Sequence, residues 1–375
     1  MQTHDKAPPL LLAFRRTYWA LRAARKIALD SLRTSLSCRN PRVFVQAMRL
    51  YREEGFEPKE AFRLGLLNGA GAGDHVCKFT SRKKLKRIQE AINPRAWECL
   101  TEDKGLFYRH CQSLGVPIPA LYGIFFRDTA GWSHAGSIVT KPESWEKFFR
   151  TEVPSEFVIK PARGVYGRGL HIFTRRDGKF VDPFGASHTA ADLYSIMASD
   201  VRYDSFLIQE RLKNHPDILY LTGTEFLQSV RAITFVDKSG PCAILLAHLK
   251  LIVGQNLADN TQGGLTGNMQ VLVSIEDGLL MQAAVVVGSN GSGLKSVPHH
   301  PRTGHSFQGF RVPLWPQVCR LVKEAALKFL PIRAIGWDVA VTPTGPVIVE
   351  GNMFWDPPNL HARMDVVLAG LAAGT

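Results

Sequence analysis

The chain is 375 residues long, 45% hydrophobic and 21% charged, enough to bury a large core in two or three domains. Its net charge of +13 is lopsided: residues 1–95 carry 20 Lys and Arg against 8 Asp and Glu, and the remainder carries 26 against 25. No run approaches the ~18 apolar residues of a transmembrane helix, and six scattered cysteines (Cys38, Cys77, Cys99, Cys111, Cys242, Cys319) without a C-x-x-C pair argue against a zinc site or disulfide framework and fit reduced thiols in a cytosolic protein.

The basic arm fits an acidic partner: membrane headgroups, nucleic acid or another polyanion. Within residues 10–36, Leu10, Phe14, Tyr18, Leu21, Ala28, Leu32 and Leu36 fall on one face at helical spacing, flanked by Arg15, Arg22, Lys26 and Arg33. Such a helix either lies on an anionic membrane or packs on its own domain. Residues 10–14 are too short and too Arg-flanked for a signal peptide. Residues 41–70 stay helical in style, interrupted by Gly55 and Pro58. The basic cluster at 81–87 reads as a solvated helix face, and without interleaved aromatics it disfavours nucleic acid.

From residue 101 the texture changes. Thr101 followed by Glu102 and Asp103 predicts a helix start with a Thr cap, running to about Leu114 and ending at Gly115. Residues 121–126 read as a strand and 145–150 as a short helix. The stretch FVIKPARGVYGRGLHIF at 157–173 places two apolar runs around a loop with Gly164, Gly167 and Gly169, a hairpin with a backbone-rich tip. Glycines let N–H groups approach an anion, and Lys160 adds a charge beside it. The glycine order is neither the dinucleotide nor the Walker fingerprint, so those sites are disfavoured. An ordinary surface hairpin is the alternative.

Further on, residues 190–198 suit a helix, and 206–212 a strand breaking into a polar segment at 213–217. Residues 230–236 and 243–253 are strand candidates rich in aliphatic side chains. Asp259, Asn260, Gly263 and Gly264 mark a polar loop, 288–293 a flexible turn, and 299–304, with His299 and His300, a compact polar loop. Residues 315–330 have the period of an amphipathic helix. Two strands close the chain, 336–341 and 347–352, around a turn of Pro343, Thr344 and Gly345. In that hairpin Asp338 and Glu350 come side by side, and Asn352 shares the face of Glu350. Two carboxylates and an amide carbonyl make an all-oxygen set suited to Mg²⁺ with phosphates. The alternative is that both acids merely flank an exposed hairpin; against it, they sit amid apolar residues, where an unpaired charge is costly.

Taken together, residues 100–360 resemble an ATP-grasp enzyme, through the lysine of Asp103-Lys104, the strand lysine and glycine loop, the Gln209-Glu210 hinge, and Asp338 with Glu350 and Asn352. The 299–304 loop, the 259–264 loop and the closing hairpin are similar to the sugar-transfer-associated branch, related to α-L-glutamate ligases. The resemblance implies an α+β fold in which two subdomains grip ATP, after a basic helical region at 1–95. It divides the rest into 96–155, 156–215 with the glycine loop, and 216–375. It implies that Lys104 and Lys160 hold the phosphates under the loop of Gly164, Gly167, Arg168 and Gly169. Gln209, Glu210 and Leu212 would line the adenine slot, with Asp217 the nearest acid for the ribose. Asp338, Glu350 and Asn352 would hold Mg²⁺, with Mn²⁺ as a substitute, and Arg231, Lys250 and Asn260 would face the γ-phosphate or an anionic substrate. His299 and His300 read as substrate contacts or as loop residues satisfied by backbone.

Three function classes stay open from the sequence. One is a ligase that joins a carboxylate to an amine through an acyl phosphate, in cell-surface polysaccharide synthesis. The second is a phosphotransferase acting on a hydroxyl, and the third a non-catalytic ATP-binding scaffold at the membrane. The expected partner is a carboxylate-bearing small molecule or sugar, and the expected place is the cytoplasm, at the inner face of the membrane if the basic helix docks there.

Overall fold

Helices open the part of the chain described by the computed structural model, which covers residues 25, 41–67, 78–287 and 293–372. Apart from residue 25, the helix expected over 10–36 lies outside the described residues, as does nearly all of the expected turn at 288–293. Helix α1 (Pro41–Arg49) continues as a π-helical turn over Leu50–Glu54 that stops at Gly55, and α2 (Pro58–Arg63) starts on Pro58, whose missing N–H costs a first turn nothing. Phe56, Leu50 and Phe79 close a small core of their own here. Helix α3 (Arg82–Ile92) is capped by the Ser81 hydroxyl and carries the basic cluster. Arg82, Lys83, Lys84, Lys86 and Arg87 are exposed, while Leu85, Gln89 and Ile92 turn inward.

A short α4 (Cys99–Glu102) precedes α5 (Lys104–Ser113). The cap of α5 is Asp103 and not the expected Thr101: the Asp103 carboxylate accepts from the N–H groups of Gly105 and Leu106. A full negative charge at a helix N-terminus is favoured by the dipole as well as by the hydrogen bonds, and Thr101 is buried within α4.

The next segment builds an eight-stranded sheet. In chain order it holds β1 (Leu121–Phe126), β2 (Gly131–Ser133), β3 (Ile138–Val139), β4 (Glu156–Pro161), β5 (His171–Arg176), β6 (Lys179–Val181), β7 (Ser187–His188) and β8 (Ser205–Glu210). The spatial order β3-β2-β1-β8-β4-β5-β6-β7 puts β8 between β1 and β4, all antiparallel. Helices α6 (Pro142–Thr151) and α7 (Ala190–Ser199) cover one face. Trp145, Phe148, Phe149, Phe157, Phe173 and Phe180 interlock there as an aromatic core, large rings that bury much area per residue.

The polar segment at 213–217 holds the start of α8 (Pro216–Thr222), which Gly223 ends in the left-handed region. A seven-stranded antiparallel sheet follows, in the order β13-β12-β11-β10-β9-β14-β15. Its strands are β9 (Ser229–Val236), β10 (Cys242–Leu251), β11 (Met269–Val273), β12 (Leu280–Val286), β13 (Leu294–Ser296), β14 (Ala334–Thr342) and β15 (Gly345–Asn352). Helix α9 (Trp315–Lys328) packs on one face in the main core. Helix α10 (Met364–Ala372) and α3 pack on the other, through Met364, Val367 and Leu371 against Leu85 and Ile92. Asn93 clasps this sheet from below: its amide donates to the carbonyls of Ala334 and Met353 and accepts from the N–H of Arg333 and Ala334. Two antiparallel sheets with helices on their faces are the expected α+β architecture. No helix among the described residues is long and apolar enough to cross a membrane.

Candidate active site

The glycine loop leaves β4 directly after Lys160 and Pro161 and folds over the mouth of a cleft of about 1120 Å³. At Gly167, φ is +70° and an added Cβ would fall 2.5 Å from the Cβ of Ala258. Only glycine lets the tip of this loop rest on the 258–264 loop. The Gln262 amide holds it there, donating to the Tyr166 carbonyl at 3.2 Å.

Of the residues given phosphate, base, ribose, metal or anion roles from the sequence, all but Gly169 and Asp217 line this one cleft. Gly169 packs behind the loop, where an added Cβ would fall 2.8 Å from the Pro161 ring and 3.0 Å from Tyr203. Asp217 is the clear displacement. Pro216 starts α8, and Asp217 sits in its exposed first turn, 3.5 Å from His215 Nδ1 and outside the cleft. The acid beyond the hinge that does line the cleft is Glu225, paired with Arg211 at 3.2 Å.

The hinge is tied to β1 from both sides: Glu210 N–H donates to the Ala120 carbonyl, and the Glu210 carboxylate accepts from Ala120 N–H. Gln209 beside it is buried, with an Oε1 that has no partner, an acceptor left open where buried acceptors are normally satisfied.

Two lysines stand at the root of the loop. Lys104 Nζ donates to the Gly164 carbonyl at 3.0 Å and stands 3.6 Å from Glu350. Lys160 Nζ donates to the Tyr108 hydroxyl at 2.9 Å and lies over its ring. A sheet defect places that tyrosine. Asp338 pairs with Glu350 and the next residue, Val339, with Ile348, so Val349 is an extra residue in β15. A bulge of this kind leaves one residue unpaired in the ladder, and the Val349 carbonyl accepts from Tyr108 Oη at 3.0 Å. Burial and the Lys104 charge pull the Lys160 pKa down to about 7, against weaker pulls from Glu350 and Asp338. Burial likewise pushes the Tyr108 hydroxyl well above its usual range, so it stays protonated.

The floor of the cleft is a row across the seven-stranded sheet: Glu350, Asp338, Arg231 and His248 are successive register partners. Arg231 grips Asp338 with two donors, Nε to Oδ1 and Nη2 to Oδ2. Lys250 Nζ bridges Asp338 and Asp259, each at 3.0 Å, and Asp259 also accepts from the Ser229 N–H and hydroxyl. Burial favours neutral Asp338, but Arg231 and Lys250 outweigh it and hold the carboxyl well below the usual range. For Lys250 burial again works against the charge, and Asp259 and Asp338 outweigh it, raising its pKa. The predicted anion-facing cations are thus already matched by carboxylates. Asn260 turns inward too, its Oδ1 accepting from Gln262 N–H at 2.6 Å, so it shapes the loop.

His248, Tyr108 and the carboxylate of Asp259 were missed by sequence reading. His248 and Lys250 are the two polar side chains of one face in the apolar run CAILLAHLKL, a period-2 signal that was there to use. His248 is buried, its Nδ1 lacks a partner, and burial with Arg231 and Lys250 pulls its pKa down to about 3, leaving a neutral ring. Of the loop histidines, His300 is satisfied by the Ile252 carbonyl and Thr303. Neither His299 nor His300 lines the cleft.

A divalent cation fits part of this donor set. Among the described residues no three His, Cys, Asp or Glu cluster for a metal, so an amide oxygen would have to join. Asn352 supplies it: its Nδ2 donates to the Gly336 carbonyl, which leaves Oδ1 as the free end. Among the described residues the one ion pair of Glu350 is with Lys104, and Asp338 is ionised but shared with two cations. Hard oxygens on adjacent strand positions suit Mg²⁺ better than a softer ion.

A family model described as sugar-transfer associated ATP-grasp matches residues 83–361. No curated protein matches the chain. Among solved structures it is similar to a biotin carboxylase from Campylobacter jejuni, at 12% identity and TM-score 0.44, over 78% of this chain and 52% of that one. It is also similar to D-alanyl-alanine synthetase A from Vibrio cholerae, at 10% identity and TM-score 0.41, over 73% and 65%. A third is the D-alanine–D-alanine ligase from Bacillus anthracis, at 10% identity and TM-score 0.39, over 73% and 67%. The chain thus spans between about half and two thirds of the length of these proteins.

Proposed function

The chain belongs to the sugar-transfer associated ATP-grasp family, and on that premise we propose that it is an ATP- and Mg²⁺-dependent ligase that joins a carboxylate to an amine in the building of cell-surface polysaccharide. The observation that carries the reading is one cleft of about 1120 Å³ with Lys104, Lys160 and the glycine loop on one side and Glu350, Asn352 and Asp338 on the other. That volume exceeds the ~300–1,000 Å³ of common small-molecule sites, which leaves room for a nucleotide and a second substrate.

In this reading a carboxylate oxygen of the substrate attacks the γ-phosphorus, the bond to the bridging oxygen breaks, and ADP leaves. The amine nitrogen then attacks the acyl carbon, phosphate departs, and the nitrogen gives up a proton. A carboxylate alone is a poor electrophile because its leaving group would be an oxide; the mixed anhydride removes that obstacle. Catalysis is then positioning and charge neutralisation. Lys160 and Lys104 would contact phosphate oxygens, and the N–H groups of the glycine loop would close over them and exclude water. Gln209, with its open Oε1, and the hinge backbone would read the base. Glu350, Asn352 and Asp338 would hold Mg²⁺, which offsets phosphate charge when bound. His248 would stay a neutral hydrogen-bonding group at the working pH.

The test is ADP and phosphate release measured against a panel of amino acids, uronic acids and amino sugars, with hydroxylamine as a trap. Ligation predicts acceptor-dependent ADP with free phosphate and a hydroxamate. ADP without free phosphate indicates phosphoryl transfer to a hydroxyl and ends the ligase reading.

The basic residues 1–40 motivate a second part of the proposal, docking on an anionic membrane where lipid-linked sugars are found. Flotation with acidic but not neutral liposomes, lost when residues 1–40 are deleted, is the expected result. Equal recovery with both lipids refutes it.

A further inference from the structure

The N-terminal helices send two arginines into the cleft from outside the matched residues 83–361: Arg63 at the end of α2 and Arg82 at the start of α3. Their settings differ. Arg82 is paired with Asp356 at 2.6 Å. Arg63 is half-buried, and its Nε is enclosed without a hydrogen-bond partner. Among the described residues no carboxylate stands within ion-pair distance of Arg63: Glu60 and Asp356 act on it only through space. Glu60 is moreover taken up by the N–H groups of Arg82 and Glu57. The wall is shaped to this guanidinium. Gly263 has φ +69°, and a Cβ there would fall 2.9 Å from Arg63 Nη1. An enclosed donor with nothing to donate to is costly, and among the described residues no hydrogen bond or ion pair takes up the two Nη groups of this guanidinium either, in the same cleft where Arg231 and Lys250 are matched by Asp338 and Asp259.

We propose that Arg63, flanked by Arg82, is an anion subsite for the second substrate, taking a carboxylate or phosphoryl group end-on through its two Nη groups. Two parallel N–H donors match two oxygens of either group. The substrate class follows: a sugar or small molecule with an anionic group held apart from the reacting centre. This rests on the reading that nucleotide fills the cradle of Lys104 and Lys160.

Isothermal titration of the full chain, with and without saturating Mg²⁺ and a non-hydrolysable ATP analogue, tests it with glucuronate, glucose 1-phosphate and glucose. At least one anion should bind and glucose should not, and the anion that binds more tightly identifies the group. Arg63→Met should weaken anion binding about tenfold or more. Arg63→Lys, which keeps the charge but loses the fork, should fall between, and guards against a folding defect in the first variant. Analogue affinity should stay within about twofold in both, since Arg63 is separate from the cradle. The proposal is overturned if no anion binds the wild type, if Arg63→Met binds anions equally well, or if it loses the analogue instead. Should the analogue fail to bind the wild-type chain, the ligase reading fails, and the titration without nucleotide still decides the role of Arg63.

Discussion

Two lysines face the same cleft with nearly equal burial and opposite acidity. Lys160, on the eight-stranded sheet, is 9% exposed, and Lys250, on the seven-stranded sheet, is 8% exposed. Burial weakens the charged form of both. Lys160 meets only the neutral Tyr108 hydroxyl and falls to about 7, whereas Lys250 lies between Asp259 and Asp338 and rises. Depth therefore does not decide protonation in this cleft; the partner does. The seven-stranded side is a finished, charge-matched bed. The eight-stranded side is incomplete: among the described residues no carboxylate stands at ion-pair distance from Lys160, whose hydrogen-bond partner is the Tyr108 hydroxyl.

Breaking the finished bed should have the largest effect. Asp338→Asn leaves Arg231 and Lys250 buried against a neutral amide, and removing one partner from a buried pair costs about 3–5 kcal/mol. Denaturant unfolding of this variant should show that loss together with lost turnover. A stability change under about 1 kcal/mol would mean the bed is solvated and the contrast with Lys160 is false.

The opposite result is expected on the other side. Lys160→Met removes a charge that folding disfavours, so the free protein should not lose stability, while turnover should fall on the order of 100-fold through the lost phosphate contact. A destabilised Lys160→Met with normal turnover would place Lys160 in the scaffold.

The smallest effect is the sharpest on mechanism. The Lys160 pKa is lowered from 10.5 to about 7 by burial first, so between those values the unfolded chain holds more protons than the folded one. Stability of the free protein should then rise with pH from about 7 towards 10.5, with the cost fully present below 7, and Lys160→Met should flatten that slope. Binding the ATP analogue at pH 8 should take up a proton, which calorimetry in buffers of different ionisation enthalpy detects. Proton release or no exchange would show that the charge on Lys160 does not respond to nucleotide.

The local parts of this design were legible in the sequence. The apolar runs around the glycine loop and the alternation in the closing hairpin specify strands, and a short turn between two strands fixes the register that sets Asp338 against Glu350. What escaped was long-range. Arg231 meets Asp338 because β9 lies beside β14, an adjacency that no local pattern encodes, and the predicted free cations became ion pairs. Asp217 was misplaced because the polar segment at 213–217 holds the start of a helix, which carries Asp217 outside the cleft. Strands β11 and β12 passed unnoticed although the Asp277-Gly278 pair between MQVLV and LMQAAVV is a turn signature that was there to use. Arg63 left no local sign at all: its role comes from the absence of a partner, which only the folded chain can show.

The extra residue Val349 has a mechanical side. Through its carbonyl, Tyr108 and Lys160, a backbone atom of one sheet is joined to a side chain of the other by two hydrogen bonds in series. Parting the two lobes to admit or release a ligand would stretch this link and let water reach the Lys160 amine, moving its basicity back towards that of a free lysine. Motion and proton affinity would then be two readings of one coordinate: an acidic medium would favour the parted form and an alkaline one the closed form, with the single misfit in β15 acting as the cam between them.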